Sequence, residues 1–180
     1  MAGFGLRLAR SQGMEGYTGN LTEYDVSPAN ALPIFTGDPV ILNGGFLTAA
    51  TSTSAAILGI FMGCRYVDSH GDYKYRNYWD GNTGAADVKA AVAVPPHGRC
   101  WIKGEAGVDF QQASIGAAHP FVINAGNAQY GDSRWTVGAA GAGPLIVHRL
   151  VDLPNNAWGT DEPILEVTVN LSSGYFSDAA

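Results

Sequence analysis

Short runs of apolar and β-branched residues, separated by glycine, proline and asparagine turns, make up most of the chain. In residues 164–171, Leu165, Val167 and Val169 alternate with polar residues, which indicates a strand with one buried and one wet face. Residues 57–67 form the strongest apolar run, and their aromatic and β-branched content favours a strand over a helix. Because no alternation of strands and helices is visible, the pattern predicts an all-β fold, a small β-barrel or a jelly-roll-like β-sandwich.

Turn residues divide these runs. Asn43-Gly44-Gly45 separates two short strands and predicts a tight hairpin, because all three residues tolerate positive φ. Within the run 57–67, Gly59 and Gly63 would allow the strand to bend or to form a bulge. Residues 85–94 stay ambiguous, with helix formers first and strand formers later. Further strands are predicted at 73–79, 99–103, 121–123 and 144–152.

Residues 1–31 differ from the rest of the chain and predict an extended N-terminal arm in front of a β domain at 32–180. The arm is rich in glycine and asparagine and has no sustained period, although a short helix is predicted over residues 4–12. It carries too many apolar groups for a tail that stays in water, so we expect it to lie on a neighbouring subunit. Its predicted anchors are Phe4, Leu6, Leu8, Tyr17 and Tyr24.

The scarcity of charge points to a covered exterior. Only 14% of residues are charged, against about 25% in an average soluble domain. Since interface cores are poor in charge and rich in aromatic residues, this composition predicts self-association as a dimer or a trimer. The alternative is a monomer whose surface is rich in serine, threonine and asparagine.

The net charge argues against some classes of partner, and the N-terminal residues indicate the compartment in which the chain folds. The formal net charge is −6 and the pI is near 5.0, which argues against nucleic acid and against an anionic membrane surface. No run approaches the roughly 18 apolar residues of a membrane span. The first ten residues contain no apolar core of a secretory signal, so Cys64 and Cys100 are expected to be buried free thiols in a reducing cytoplasm.

Two sets of residues raise the question of a metal. His97 and Cys100, with Cys64 or His70, could form half of a zinc site, but structural zinc calls for a second close pair, which is missing. A group of aspartates lacks the spacing of an EF-hand loop and its terminal glutamate, so a solvated turn region is favoured over calcium. This group comprises Asp68, Asp72, Asp80 and Asp87. We therefore expect no metal and no cofactor.

Catalytic patterns are weak as well. The glycine-rich segment 138–143 is followed by Pro144 and a strand, whereas a phosphate loop requires a helix N-terminus and a Lys-Ser/Thr pair. Ser114, His119 and Asp109 permit a triad on paper, but no Gly-x-Ser-x-Gly elbow accompanies them. The chain is therefore not expected to be an enzyme.

The tyrosine and tryptophan residues of the central region are the most suggestive set. They suit three roles, namely a stacking platform for carbohydrate, anchors of an oligomer interface, or simple core packing. The set comprises Tyr66, Tyr73, Tyr75, Tyr78, Trp79 and Trp101. For the interface interpretation, we select Tyr73, Tyr75, Tyr78 and Trp79.

One arrangement resembles a known family. A Gly-Asp turn at residues 36–38, a strand, a glycine turn, a returning strand and the glycine-bearing run 57–67 follow one another, and Tyr78-Trp79 comes after them. This layout, over about residues 31–105, resembles the decoration or cement proteins of tailed phages, which have small β-barrel cores. The resemblance implies no catalytic residues. It also implies that the partner is the major capsid protein of an HK97-type shell.

By this resemblance, the chain would be assembled in the host cytoplasm and lie on the capsid exterior of the virion, where it clamps capsomers against the pressure of packaged DNA. Two other functions are kept as alternatives. One is a carbohydrate-binding β-sandwich of a phage fibre or receptor-binding protein. The other is a small β-barrel enzyme, which would need a concave pocket with perturbed titratable groups.

Overall fold

The computed structural model describes residues 3–9, 21–27, 29–52, 54–81, 84–94 and 99–170. Apart from a 3₁₀ helix at Gln112–Ser114, regular structure in these residues is entirely β, so the predicted all-β class is confirmed. In chain order the strands are β1 (Arg7–Leu8), β2 (Leu21–Asp25), β3 (Ile34–Phe35), β4 (Pro39–Asn43), β5 (Phe46–Ala49), β6 (Gly59–Val67), β7 (Tyr73–Arg76), β8 (Tyr78–Trp79), β9 (Ala86–Ala93), β10 (Arg99–Lys103), β11 (Ala118–His119), β12 (Phe121–Val122), β13 (Thr136–Val137), β14 (Leu145–Leu150) and β15 (Ile164–Val169).

A six-stranded antiparallel sheet occupies the first half of the domain. Its order is β2-β9-β6-β4-β5, and β7 adds to the second half of β6. A parallel bridge between Val26 and Leu47 places the end of β2 beside β5, so the sheet curls back on itself like a small barrel. The interior is filled by fully buried apolar side chains, among them Ile34, Leu47, Phe61 and Trp79.

A five-stranded antiparallel sheet, with the order β1-β10-β15-β14-β11, forms the second layer. Its inner face carries Cys100, Ile102, Leu165 and Val167 into a second core. Two-stranded ribbons, β12 with β13 and β3 with β8, complete the architecture. The result is a sandwich-like fold with one core inside the curled sheet and one beneath the five-stranded sheet.

Strand β6 joins the two cores. Ile60 lies in the second core while its neighbour Phe61 lies in the first, because successive side chains of a strand point to opposite faces. The register between β6 and β9 shifts between Phe61 and Gly63, where Gly63 has φ of 137°. The predicted glycine bulge is therefore present in this strand.

Local sequence signals account for much of this layout. The Asn43-Gly44-Gly45 turn closes the β4–β5 hairpin with φ of 58° and 85° at its two glycines, as a two-residue hairpin loop requires. The ambiguous segment 85–94 contains strand β9 (Ala86–Ala93), which pairs on both sides, with β2 and with β6. Pairing on both sides decides between two local preferences of similar strength.

The described part of the predicted arm is built into the sheets. The helix predicted over residues 4–12 is wrong for residues 4–9, where β1 pairs with β10 and the Leu6 N–H donates to the Gly37 carbonyl at 2.8 Å. Leu6 is 2% exposed in the second core. Leu6 and Val26 are buried within their own chain and β2 pairs with β9, so residues 3–9 and 21–27 belong to the domain that was predicted to begin at residue 32.

Candidate functional site

Two tyrosines project from one face of the edge strand β7. Tyr73 and Tyr75 are 63% and 77% exposed, and their spacing of two residues puts both rings on the same side. They lie opposite Val67 and Arg65 of β6 in the ladder. We call this pair the tyrosine edge. Among the described residues β7 pairs with β6 alone, so its other side is open.

The turn that leads into β7 is fixed by Asp68. Its carboxylate accepts hydrogen bonds from the backbone N–H of His70 at 2.9 Å and from that of Asp72 at 3.0 Å. The ammonium nitrogen of Lys74 lies 3.4 Å from the same carboxylate. The backbone hydrogen bond from Asp72 is the main reason that the pKa of Asp68 is lowered. Asp68 therefore acts as a cap that holds the start of the tyrosine edge in place.

A groove of about 460 Å³ lies beside Tyr75, between β2, β6, β7 and β9. One wall is the Tyr75 ring, and Met62 lines it as well. On its surface Arg65 donates two hydrogen bonds to Glu23, Nε to Oε1 at 3.0 Å and Nη2 to Oε2 at 2.9 Å. The hydrogen bond from Arg65 lowers the pKa of Glu23, so the groove presents a fixed, planar ion pair next to an exposed aromatic ring.

A second cavity of about 300 Å³ lies along the N-terminal segment. Phe4, Leu6 and Leu8 line it together with Met62, which also lines the groove. Phe4 and Leu8 are half-buried, whereas Leu6 reaches into the core. Three of the five predicted arm anchors, Phe4, Leu6 and Leu8, thus meet at one place, but they do so against their own domain.

The remaining predicted interface residues lie deeper. Trp79 is fully buried, with its indole N–H donating to the Asn30 carbonyl at 3.0 Å, so it cannot touch a partner. Tyr78 is half-buried and stacks on Phe35, with 5.5 Å between the two ring centres. Tyr24 is half-buried against the core of the curled sheet. Tyr17 lies outside the described residues.

The solvent-side face of the five-stranded sheet carries a cluster that sequence patterns do not reveal. Pairing aligns Arg7, Trp101, Glu166 and Arg149 in one row across β1, β10, β15 and β14. Arg99 stands two residues before Trp101 and therefore on the same face. We call Arg7, Arg99 and Arg149 the arginine face. In the sequence, Glu166 reads only as an alternating polar residue of a wet strand face.

Glu166 organises this face. Its carboxylate is 1% exposed and accepts hydrogen bonds from Arg99 at 2.8 Å, Arg149 at 2.8 Å and the Trp101 indole at 3.3 Å. Burial opposes ionisation of Glu166, but the donors outweigh it, so the pKa lies below its ordinary value. Strand pairing brings the donors to Glu166 from as far as 67 residues away in the chain, the separation of Arg99 from Glu166.

The candidate catalytic and metal groups have other roles. Cys64 and Cys100 are both free and buried, in different cores, and burial raises the pKa of the Cys64 thiol to about 12. Buried free thiols were predicted for both, and that prediction is confirmed. His97 lies outside the described residues. Within the described ranges, no group of three His, Cys, Asp or Glu side chains is placed to hold a metal ion.

The triad and the glycine-rich loop also find structural partners. His119 is buried and its Nδ1 donates to the Gly138 carbonyl at 2.9 Å, while Ser114 Oγ accepts the N–H of Gln111 at 3.1 Å. In the glycine-rich loop, the amides of Gly138 and Gly141 donate to carbonyls of the chain itself. These groups hold loops together.

No family model, curated protein or solved structure matches this chain. In the described part of the chain, no helix has both the length and the hydrophobicity to cross a membrane. The site must therefore be interpreted from its own geometry.

Proposed function

We propose that the chain is a structural virion subunit, a cement or decoration protein that binds the outside of a tailed-phage capsid and stabilises its shell of major capsid protein. The observation that carries the proposal is the tyrosine edge. Tyr73 and Tyr75 are large, amphipathic and mostly exposed on a strand whose outer side is open. Tyrosine is among the residues that contribute most to protein–protein binding, since it buries a large area at low entropy cost.

Other parts of the surface support a covered exterior. The tip of the β4–β5 hairpin exposes Leu42 and Phe46 at 46% and 41%. Leu32 is 72% exposed in the loop before β3. In a chain with only 14% charged residues, such side chains suit contacts with other subunits. The proposal includes self-association as a dimer or a trimer, which a mass measurement in solution checks.

The test is binding to purified capsid shells. The double variant Tyr73→Ser/Tyr75→Ser should bind about tenfold to a hundredfold more weakly than the wild type, because two interface anchors are lost. Truncating residues 1–25 would be a poor test, since β1 and β2 are strands of the two sheets.

The matched control is Tyr130→Ser. Tyr130 is 62% exposed, close to the 63% of Tyr73, but it lies in a loop and not on β7. Its carbonyl accepts a hydrogen bond from Asn77, just beyond β7, and because this contact uses the backbone the substitution leaves it in place. This control should bind shells like the wild type. Equal binding by the double variant and the wild type would sink the proposal, as would equal losses in the double variant and the control.

A second candidate is carbohydrate binding, as in a phage fibre or receptor-binding module. It is favoured by the groove, where the Tyr75 ring stands next to the planar Arg65–Glu23 pair. A sugar ring could stack on Tyr75 while its hydroxyls meet the ion pair. On a glycan array Tyr75→Ala should then lose binding, whereas Tyr73→Ala, outside the groove lining, should keep it. An array without wild-type hits rejects this candidate.

A further inference from the structure

The arginine face has the opposite sign to the molecule that carries it. The chain has 16 acidic and 10 basic residues. On this one face, however, Arg7, Arg99 and Arg149 surround a single buried carboxylate, that of Glu166. Asp152, beyond the end of β14, acts on Arg149 through its charge alone. Guanidinium groups therefore outnumber the carboxylates that face them.

The carboxylate of Glu166 orients Arg99 and Arg149 but occupies only part of their hydrogen-bond donors. Arg99 and Arg149 are each linked to it through one nitrogen, Nη1 and Nη2 respectively. A guanidinium carries five N–H donors in a rigid plane. The side chains keep 30% and 47% of their surface exposed, so donors remain accessible from the solvent side.

Arg7 extends the row at the sheet edge. Its guanidinium carbon lies 4.8 Å from the centre of the Phe4 ring, and the residue is exposed. Trp101, half-buried, separates Arg7 from Glu166 in the cross-strand row. Three oriented cations and an indole thus lie on one sheet face.

We propose that the arginine face docks an acidic, extended segment of a partner polypeptide, whose carboxylates pair with Arg7, Arg99 and Arg149. This inference rests on the proposed function and adds the chemistry of the partner. Arginine pairs with carboxylates through two parallel hydrogen bonds, and arginines that are already oriented lose little freedom on binding. The net charge of −6 opposes every long polyanion. A nucleic acid carries a charge on every nucleotide, so it meets more of this repulsion than a short polypeptide segment with a few carboxylates.

The experiment uses the whole protein and a labelled peptide of alternating glutamate and serine, followed by fluorescence anisotropy. The wild type should bind, and binding should weaken as salt rises from about 50 to about 300 mM. The double variant Arg99→Gln/Arg149→Gln should bind about tenfold more weakly. Arg149→Lys keeps the charge but loses the planar fork, so it should fall between these two.

Lys74→Gln is the matched control. Lys74 is 44% exposed against 47% for Arg149, and it is also paired with carboxylates, but it lies on β7. It should change peptide binding by less than about twofold. If the double variant fails to fold because Glu166 is left unpaired, Arg7→Gln decides, since Arg7 does not bond to Glu166.

Several results overturn the inference. They are absence of peptide binding, equal losses in Lys74→Gln and Arg7→Gln, and binding of a single-stranded oligothymidylate as tight as that of the peptide. The experiments also distinguish failure of the cement role from failure of the acidic partner. Peptide binding without shell binding rejects the cement role, and shell binding without peptide binding rejects the acidic partner.

Discussion

Asp38 shows how a single residue of the Gly-Asp turn determines a junction. Its carboxylate accepts the Phe35 N–H at 2.8 Å, and its own N–H donates back to the Phe35 carbonyl. Neighbouring Gly37 donates to Phe61 and accepts from Leu6. The turn therefore ties the N-terminal segment to the curled sheet, and the aspartate has a structural role there.

Burial gives Asp38 a pH signature. It raises the pKa to about 6 from an ordinary 3.8, against the lowering effects of the Phe35 N–H and Ser133. Because the folded state favours the protonated form, this group's contribution to stability is complete below pH 3.8 and is lost as the pH rises through about 6. The loss amounts to about 3 kcal/mol at most.

Asp38→Asn, which cannot ionise, should remove this contribution to the pH dependence. Urea unfolding of both proteins from about pH 4 to about pH 7 measures it. As the pH rises, the wild type should lose unfolding free energy relative to the variant, because only the wild type must ionise a buried carboxyl group. A constant difference across this range would show that Asp38 titrates normally.

At the scale of elements, the glycine of the hairpin loop and the glycine of the β6 bulge have different surroundings. An added Cβ at Gly45 meets nothing within 4 Å, whereas at Gly63 it would lie 3.0 Å from the Arg76 carbonyl oxygen of β7. The φ of 137° at Gly63 also lies outside the left-handed helical region that other residues adopt, whereas the 85° of Gly45 lies nearer to it. The bulge in β6 is therefore less tolerant of a side chain than the hairpin loop.

We expect Gly45→Ala to destabilise the protein by about 1 kcal/mol and Gly63→Ala by about 2 to 3 kcal/mol. Thermal unfolding of the two variants gives the comparison. Since β7 pairs with β6 just beyond the bulge, Gly63→Ala should also weaken shell binding through the tyrosine edge. Equal destabilisation by both substitutions would contradict the close approach of β7 at Gly63.

For the whole molecule, the fate of the N-terminal segment matters most. Leu6 is 2% exposed in the second core, whereas Leu21, from the same predicted arm, is 45% exposed. Leu6→Ala should therefore cost about 2 to 5 kcal/mol of unfolding free energy, and Leu21→Ala less than about 1 kcal/mol. Denaturant unfolding provides the measurement. Similar small effects would mean that the segment adds nothing to the domain.

The strands and turns of this chain are more predictable from its sequence than the surroundings of individual side chains. The hairpin at Asn43-Gly44-Gly45 and strand β10 were predictable, because turn chemistry and period-two alternation depend on near neighbours. Exposure of individual aromatic residues was not predictable, since Tyr75 and Trp79 belong to the same local pattern. Only the ribbon of β3 and β8 shows that Trp79 closes the core while Tyr75 stays in solvent.

The amino-acid sequence by itself determined the all-β class, the scarcity of charge and the positions of the principal turns. The tertiary structure decided that Leu6 lies in the core and that Glu166 binds Arg99 and Arg149 across three strands. The physical reason is that strand formation depends on local side chains and backbone, whereas strand pairing and burial depend on residues far apart in the chain.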